Sequence, residues 1–284
     1  MHKLCSSLVC FWLVLLLPAQ SIQSTISDFS THEPVSFVNI GILGKNIGTV
    51  SDANGHFTLD IPQSEIVPND TLRFSSIGYQ TLDFLVKDLA TLPKEIKLQK
   101  TTLLLPTVTI NPKKYKRLKT LGHRANSDKI VFYFQSNRLG TELASLIEVK
   151  KGSYYLKSAH FNIAENKFGT LFFRVNLYES LNGLPGKNLL SEGIIVKTDL
   201  KKGTLSVDLA RYNLVLAEDF ILSLEWVQAL NQGKLSKDLM FCAALGNGTI
   251  FTKTTSQANW RAFTQKKFGF RPQLGFYVEG AAAE

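Results

Sequence analysis

The strongest constraint on this chain is the spacing of its apolar residues. From Thr25 onward they recur at every second position in short runs, and turn signals interrupt the runs every 8–12 residues. A period of two puts successive side chains on opposite faces of an extended strand, and no segment carries a helical period of useful length. His56-Phe57-Thr58-Leu59-Asp60-Ile61 is one such run, and Asp219–Val227 is another. Short alternating strands bury their apolar faces by stacking one sheet on another, so the pattern predicts an all-β chain. A length of 284 residues has room for two domains. Apolar residues at 44%, with 19 Phe among them, supply more than one core, and this composition excludes a disordered or fibrous chain.

Residues 1–20 stand outside the pattern. Met1-His2-Lys3 is a short basic start, Leu4 to Leu17 is almost wholly apolar, and Pro18-Ala19-Gln20-Ser21 supplies a breaker and small residues. That order is the layout of a secretory signal peptide, with cleavage expected near Ala19–Ser21. The apolar run is too short to span a bilayer as a helix, which takes about 20 residues. Export to the periplasm, outer membrane or cell surface is therefore expected. Cys5 and Cys10 lie inside this leader, leaving Cys242 as the one later thiol. Its neighbours Met240, Phe241, Ala243 and Ala244 predict a buried structural cysteine.

Strands are expected at Val35–Ile40, Asn46–Val50, His56–Ile61, Asp70–Ser75, around Thr81–Val86 and at Glu95–Leu98, with Asn54-Gly55 as a hairpin turn. Three stretches here carry a resemblance: Glu33-Pro34-Val35-Ser36-Phe37-Val38-Asn39-Ile40; Gly48-Thr49-Val50-Ser51-Asp52-Ala53-Asn54-Gly55-His56-Phe57; and Asp70-Thr71-Leu72-Arg73-Phe74-Ser75-Ser76-Ile77-Gly78-Tyr79. Together they make residues 25–110 resemble the carboxypeptidase-regulatory-like domain. The resemblance implies a seven-stranded, transthyretin-like β-sandwich, its first strand echoed by Ser24–Ser30. It also implies a secreted or outer-membrane protein of Bacteroidetes-type bacteria, and a module without catalysis.

Residues 111–127 read as a linker. Lys113, Lys114, Lys116, Arg117 and Lys119 make it densely basic, a solvated connector able to touch phosphate-bearing or other anionic envelope polymers. Limited trypsin digestion is expected to cut there first. Nucleic acid is excluded as a partner by export. Residues 128–279 then alternate through nine strand candidates and predict a second, jelly-roll-like β-sandwich. The order resembles the jelly-roll module that often follows a regulatory-like domain in envelope proteins.

The chemistry of known active sites does not emerge. None of His32, His56, His123 and His160 begins a His-x-x-Glu or His-Glu-x-x-His pattern, so neither zinc peptidase chemistry nor any other metal or cofactor is expected. There is no nucleophile elbow and no phosphate-binding glycine loop. Asp52-x-Asn54-Gly55 lacks the later bidentate Glu of a calcium loop. Asp70-Thr71-Leu72 resembles an O-glycosylation sequon, with an ordinary strand start the simpler reading. The function expected is non-catalytic binding or assembly, with glycan binding by the second domain as the alternative.

One ligand face is predicted, on the assumption that Tyr154–Ile163 and Thr170–Tyr178 form a hairpin around Ala164–Gly169. Ala159, Phe161 and Ile163 would share the core side with Phe173, Val175 and Leu177. The opposite side would collect Ser158, His160 and Asn162 with Arg174, Asn176 and Tyr178, a set suited to sugar hydroxyls. Trp260 would add an aromatic platform, while Trp226 alternates with Leu222 and Leu224 and is expected to be buried.

Overall fold

The computed structural model describes residues 20–101, 115–229, 236–263 and 269–283. Residues 1–19 of the expected leader and the first part of the expected linker, residues 111–114, lie outside them, while Gln20 begins the first strand. The described residues are strands joined by turns and a few short 3₁₀ segments, so the all-β expectation holds.

The N-terminal domain has seven described strands: β1 (Gln20–Asp28), β2 (Asn39–Ile42), β3 (Gly48–Val50), β4 (His56–Ile61), β5 (Thr71–Ser75), β6 (Leu82–Leu85) and β7 (Glu95–Leu98). They form one sheet in the order β4-β1-β7 and a second in the order β3-β2-β5-β6. The alternation of β4 buries Phe57, Leu59 and Ile61, which meet Ile40, Leu72 and Phe74 of the facing sheet in a single core. Phe74 takes Phe57 and Phe84 edge-on, with centroids 5.6 and 5.8 Å away.

Two expectations need correction here. The strand expected from Val35 begins only at Asn39, because Phe37 adopts a left-handed φ of 55° and breaks the extension. Asn54-Gly55 turns the chain but makes no hairpin, since β3 and β4 belong to different sheets. The turn is held by the Asp52 carboxylate, which accepts the amides of Asn54 and His56 at 2.8 and 2.9 Å. Glycine is required at position 55, where φ is 78° and a Cβ would stand 2.4 Å from the Ile26 carbonyl oxygen.

Asp28 ends β1 and ties the two sheets together. Its carboxylate accepts the amides of Thr31 and Ser30 at 2.9 and 2.8 Å, pairs with Lys100 at 3.2 Å and accepts the Tyr79 hydroxyl at 3.1 Å. The Thr31 amide and these other donors outweigh burial and hold the carboxyl far below the usual carboxylate range. A carboxyl with a depressed folded pKa contributes stability above its unfolded value and loses it as pH falls. Unfolding midpoints of the wild type should therefore drop on acidification below pH 4, and Asp28→Asn should flatten that slope. Parallel pH profiles of wild type and variant would contradict this role.

The second domain contains β8 (Tyr115–Gly122), β9 (Val131–Tyr133), β10 (Glu142–Ile147), β11 (Tyr154–Asn166), β12 (Leu171–Leu181), β13 (Leu184–Asn188), β14 (Ile194–Thr198), β15 (Gly203–Asp208), β16 (Val215–Leu216), β17 (Phe220–Ala229), β18 (Leu239–Gly246), β19 (Ile250–Lys253), β20 (Arg261–Phe263), β21 (Arg271–Leu274) and β22 (Phe276–Ala283). A seven-stranded sheet runs β13-β12-β17-β10-β19-β20, with β14 also on β12. An eight-stranded sheet runs β21-β18-β11-β22-β8, with β15 and β16 also on β11 and β9 on β18. Their inner faces share one core, in which Phe134, Phe161, Phe173, Phe241 and Phe276 are fully buried. Trp226 and Cys242 are buried as expected, and burial pushes the Cys242 thiol up.

Residues 115–122 are not linker. They pair antiparallel with β22 from Tyr115↔Ala283 to Gly122↔Tyr277. As an edge strand β8 tolerates charge on a side that no other strand covers, and lysines on such an edge discourage pairing with other chains. Early trypsin cleavage within 115–122 is accordingly no longer expected.

The two domains are docked. The N-terminal sandwich sits on the outer face of the seven-stranded sheet and on the 254–259 segment beyond β19. The Gly44 amide donates to the Gln257 carbonyl at 2.9 Å, Thr254 to Asn46 at 2.5 Å, Ser256 to Asn39 at 3.1 Å and Gln257 to Ser75 at 2.8 Å. Phe37 and Val50 pack with Val227 and Phe172, the two phenyl rings stacked at 6.1 Å.

Candidate ligand cleft between the domains

Alternation along β12 and β17 sends Phe173, Val175, Leu222 and Leu224 into the core and Arg174, Asn176, Ser223 and Glu225 to the outer face. The register then places four charges in one row across four strands: Arg174 opposite Glu225, Glu225 opposite Glu142, and Glu142 opposite Lys253. All four are buried, because the N-terminal domain covers this face. Two carboxylates facing each other would repel, and the cations at both ends of the row offset that.

The bonding is close to complete. Arg174 Nη1 donates to Glu225 at 2.9 Å, and its Nη2 donates to the Phe37 carbonyl of the other domain. Lys253 Nζ pairs with Glu142 at 2.6 Å. Asn176 bridges the two acids, donating to Glu142 at 2.8 Å and Glu225 at 3.3 Å. Glu142 also accepts the hydroxyls of Tyr178, at 2.9 Å, and Ser223. Burial pushes the Glu142 carboxyl up, but the Lys253 ammonium and the donors around it bring it below the usual value. Burial raises Glu225 more than Arg174 lowers it, and Glu142 adds to the rise. Burial likewise raises the Tyr178 hydroxyl well above its ordinary range.

Over this row lies a cleft of about 350 Å³, lined by Asn39, Ser75 and Ile77 of the N-terminal domain and by Arg174, Asn176, Tyr178, Asn188, Lys253, Gln257 and Trp260 of the second. Trp260 meets Tyr178 edge-on at 5.7 Å and carries the Lys253 ammonium 4.7 Å from its ring centroid. It also lines a neighbouring cavity of about 520 Å³ with Lys45, Asn46, Glu65 and Arg261, so one indole separates two polar spaces.

Four of the predicted ligand residues, Arg174, Asn176, Tyr178 and Trp260, thus meet in one cleft. Ser158 and His160 do not join them. The 167–170 segment crosses from one sheet to the other, so β11 and β12 are not a hairpin; β11 pairs with β15, β16, β18 and β22 instead. His160 stacks on Tyr277 at 4.5 Å, with Ser158 Oγ 2.8 Å from Nε2 and Ser206 Oγ 2.9 Å from Nδ1. Burial lowers its pKa against the pull of Glu279. Sequence reasoning missed Glu142, Glu225 and Lys253, whose signal was charge at the polar positions of otherwise apolar strands.

Comparison with known proteins bears on the N-terminal part. Residues 22–110 match the family model of the CarboxypepD_reg-like domain. The CarboxypepD_reg-like domain is a β-sandwich in this chain, and modules of this kind are regulatory and non-catalytic. A search of the curated proteins found no match, and a search of the solved structures found none either. Among the described residues, no group of three or more His, Cys, Asp or Glu side chains is arranged to hold a metal ion.

Proposed function

We propose that this chain is a non-catalytic exported envelope protein of a Bacteroidetes-type bacterium, working as a binding or assembly module at the periplasm or outer membrane. Its CarboxypepD_reg-like domain is joined to a jelly-roll-like sandwich, and the cleft between them takes a neutral glycan. The observation that carries this reading is the meeting of Trp260, Tyr178, planar amides and Arg174 in one polar cleft walled by both domains. Glu142 and Glu225, in the buried row with Arg174 and Lys253, are spent on ion pairs, which fits binding better than acid–base chemistry. An indole stacks on a sugar ring while amides and hydroxyls meet its hydroxyl groups.

A glycan array probed with wild type and Trp260→Ala tests the reading. Removal of the stacking surface should weaken the best hits by about tenfold or more. No glycan bound by the wild type would overturn the ligand class. Equal binding by Trp260→Ala would move the site elsewhere.

A further inference from the structure

We propose that the second sandwich carries a separate site, at one end between its sheets, for a soluble phosphate-bearing polymer held by Lys119, Lys150 and Lys151. A cavity of about 520 Å³ opens there, and it shares no lining residue with the interdomain cleft. It is built by β8 with His123, by the end of β10 and the loop that leads to β11, by the turn between β18 and β19, and by Gln273 of β21.

The charge in this cavity is one-sided. Lys119, Lys150 and Lys151 face a single carboxylate, that of Glu148. Among the described residues no carboxylate lies within ion-pair distance of any of the three. Elsewhere the same chain neutralises its cations closely, as with Lys45 on Asp70 at 2.6 Å and Arg73 on Asp83 at 2.7 Å. Three ammonium groups around one concavity repel each other, and an anion from outside relieves that repulsion where no internal one does. A lysine is a compact charge with three rotatable donors, suited to phosphate oxygens arriving in several orientations.

The cavity walls are set by the backbone. Asp219 accepts the Val149 amide at 2.7 Å and fixes the start of the lysine loop, while Gly152 turns it with a φ of 82°. Gly122, at φ 95°, bends the end of β8; a Cβ there would lie 2.7 Å from the Phe276 carbonyl oxygen. Tyr154 forms a buried wall, and Lys119 Nζ stands 5.9 Å from its ring centroid.

The test measures binding of the full mature chain to soluble inorganic polyphosphate and, separately, to phosphatidylcholine vesicles containing phosphatidylglycerol. The variants are Lys119→Gln/Lys150→Gln/Lys151→Gln and a control with the same charge loss at exposed positions that do not line the cavity, Lys87→Gln/Lys129→Gln/Lys187→Gln. The wild type should bind polyphosphate. The cavity variant should bind it roughly a hundredfold more weakly, at about one kcal/mol per lysine, and the control within about threefold of wild type. Equal losses in the two variants would reduce the effect to overall charge and overturn the site. Binding to vesicles but not to soluble polyphosphate would overturn the ligand.

Discussion

Arg174→Ala should destabilise the folded chain by about 3–5 kcal/mol, the usual cost of leaving one partner of a buried ion pair uncompensated. Among the described residues Arg174 is the only cation directly opposite Glu225, and the same guanidinium donates to the Phe37 carbonyl across the domain boundary. Without it, the Glu225 carboxyl, already raised by burial, rises further. A folded pKa above the unfolded value means that stability falls as pH rises between the two, so the deficit should be larger at pH 8 than at pH 5. Arg174→Leu/Glu225→Leu removes both charges and the clash of Glu225 with Glu142, and should cost less than half as much as Arg174→Ala alone. Urea unfolding of the three proteins at both pH values decides it. A deficit for Arg174→Ala below about 1 kcal/mol would mean that this row is not buried in solution.

Gly41→Val/Gly48→Val is expected to release the N-terminal domain from the second without unfolding either one. Neither glycine has a positive φ, so backbone strain is not the reason; the requirement is space. A Cβ at either position would stand 2.5 Å from the Ser256 carbonyl oxygen, and 2.9 Å from a carbonyl oxygen of its own domain, that of Ile47 for Gly41 and that of Ile40 for Gly48. These contacts are with rigid backbone that cannot turn aside. A wedge of this kind typically costs about 1–3 kcal/mol, and a polar interdomain contact yields before a packed core does. Phe37, held in its left-handed conformation by the Phe172 stack and the Arg174 bond, should relax once those partners are lost.

Much of the fold was legible in the sequence, because alternation reports burial directly. The runs at His56–Ile61 and Glu95–Leu98 are strands with the predicted faces inward. Alternation says which side of a strand is buried, however, and not which strand lies beside it. The turns at Asn54-Gly55 and at 167–170 both looked like hairpins, and both pass from one sheet to the facing one. Phe161 and Phe173 point into the same core from opposite sheets, so their shared apolar side did not make Ser158 and Arg174 neighbours. The charged row was hidden for a related reason: Arg174, Glu225 and Lys253 occupy positions that face solvent in an isolated sandwich. Only the N-terminal domain resting on them makes them interior, and that contact leaves no periodic trace. The strand at Tyr115–Gly122 was obscured by its lysines, which an edge strand accommodates and a central strand does not.

Small-angle X-ray scattering on the chain without residues 1–19 addresses the docking on which the cleft depends. Docked domains predict a compact particle with a radius of gyration of about 18–20 Å, a single-peaked distance distribution and no change between low and moderate salt. The Gly41→Val/Gly48→Val variant should show a larger radius and a second, longer peak. A wild type that already shows the larger radius and the two peaks would contradict the docked arrangement, and with it the cleft between the domains.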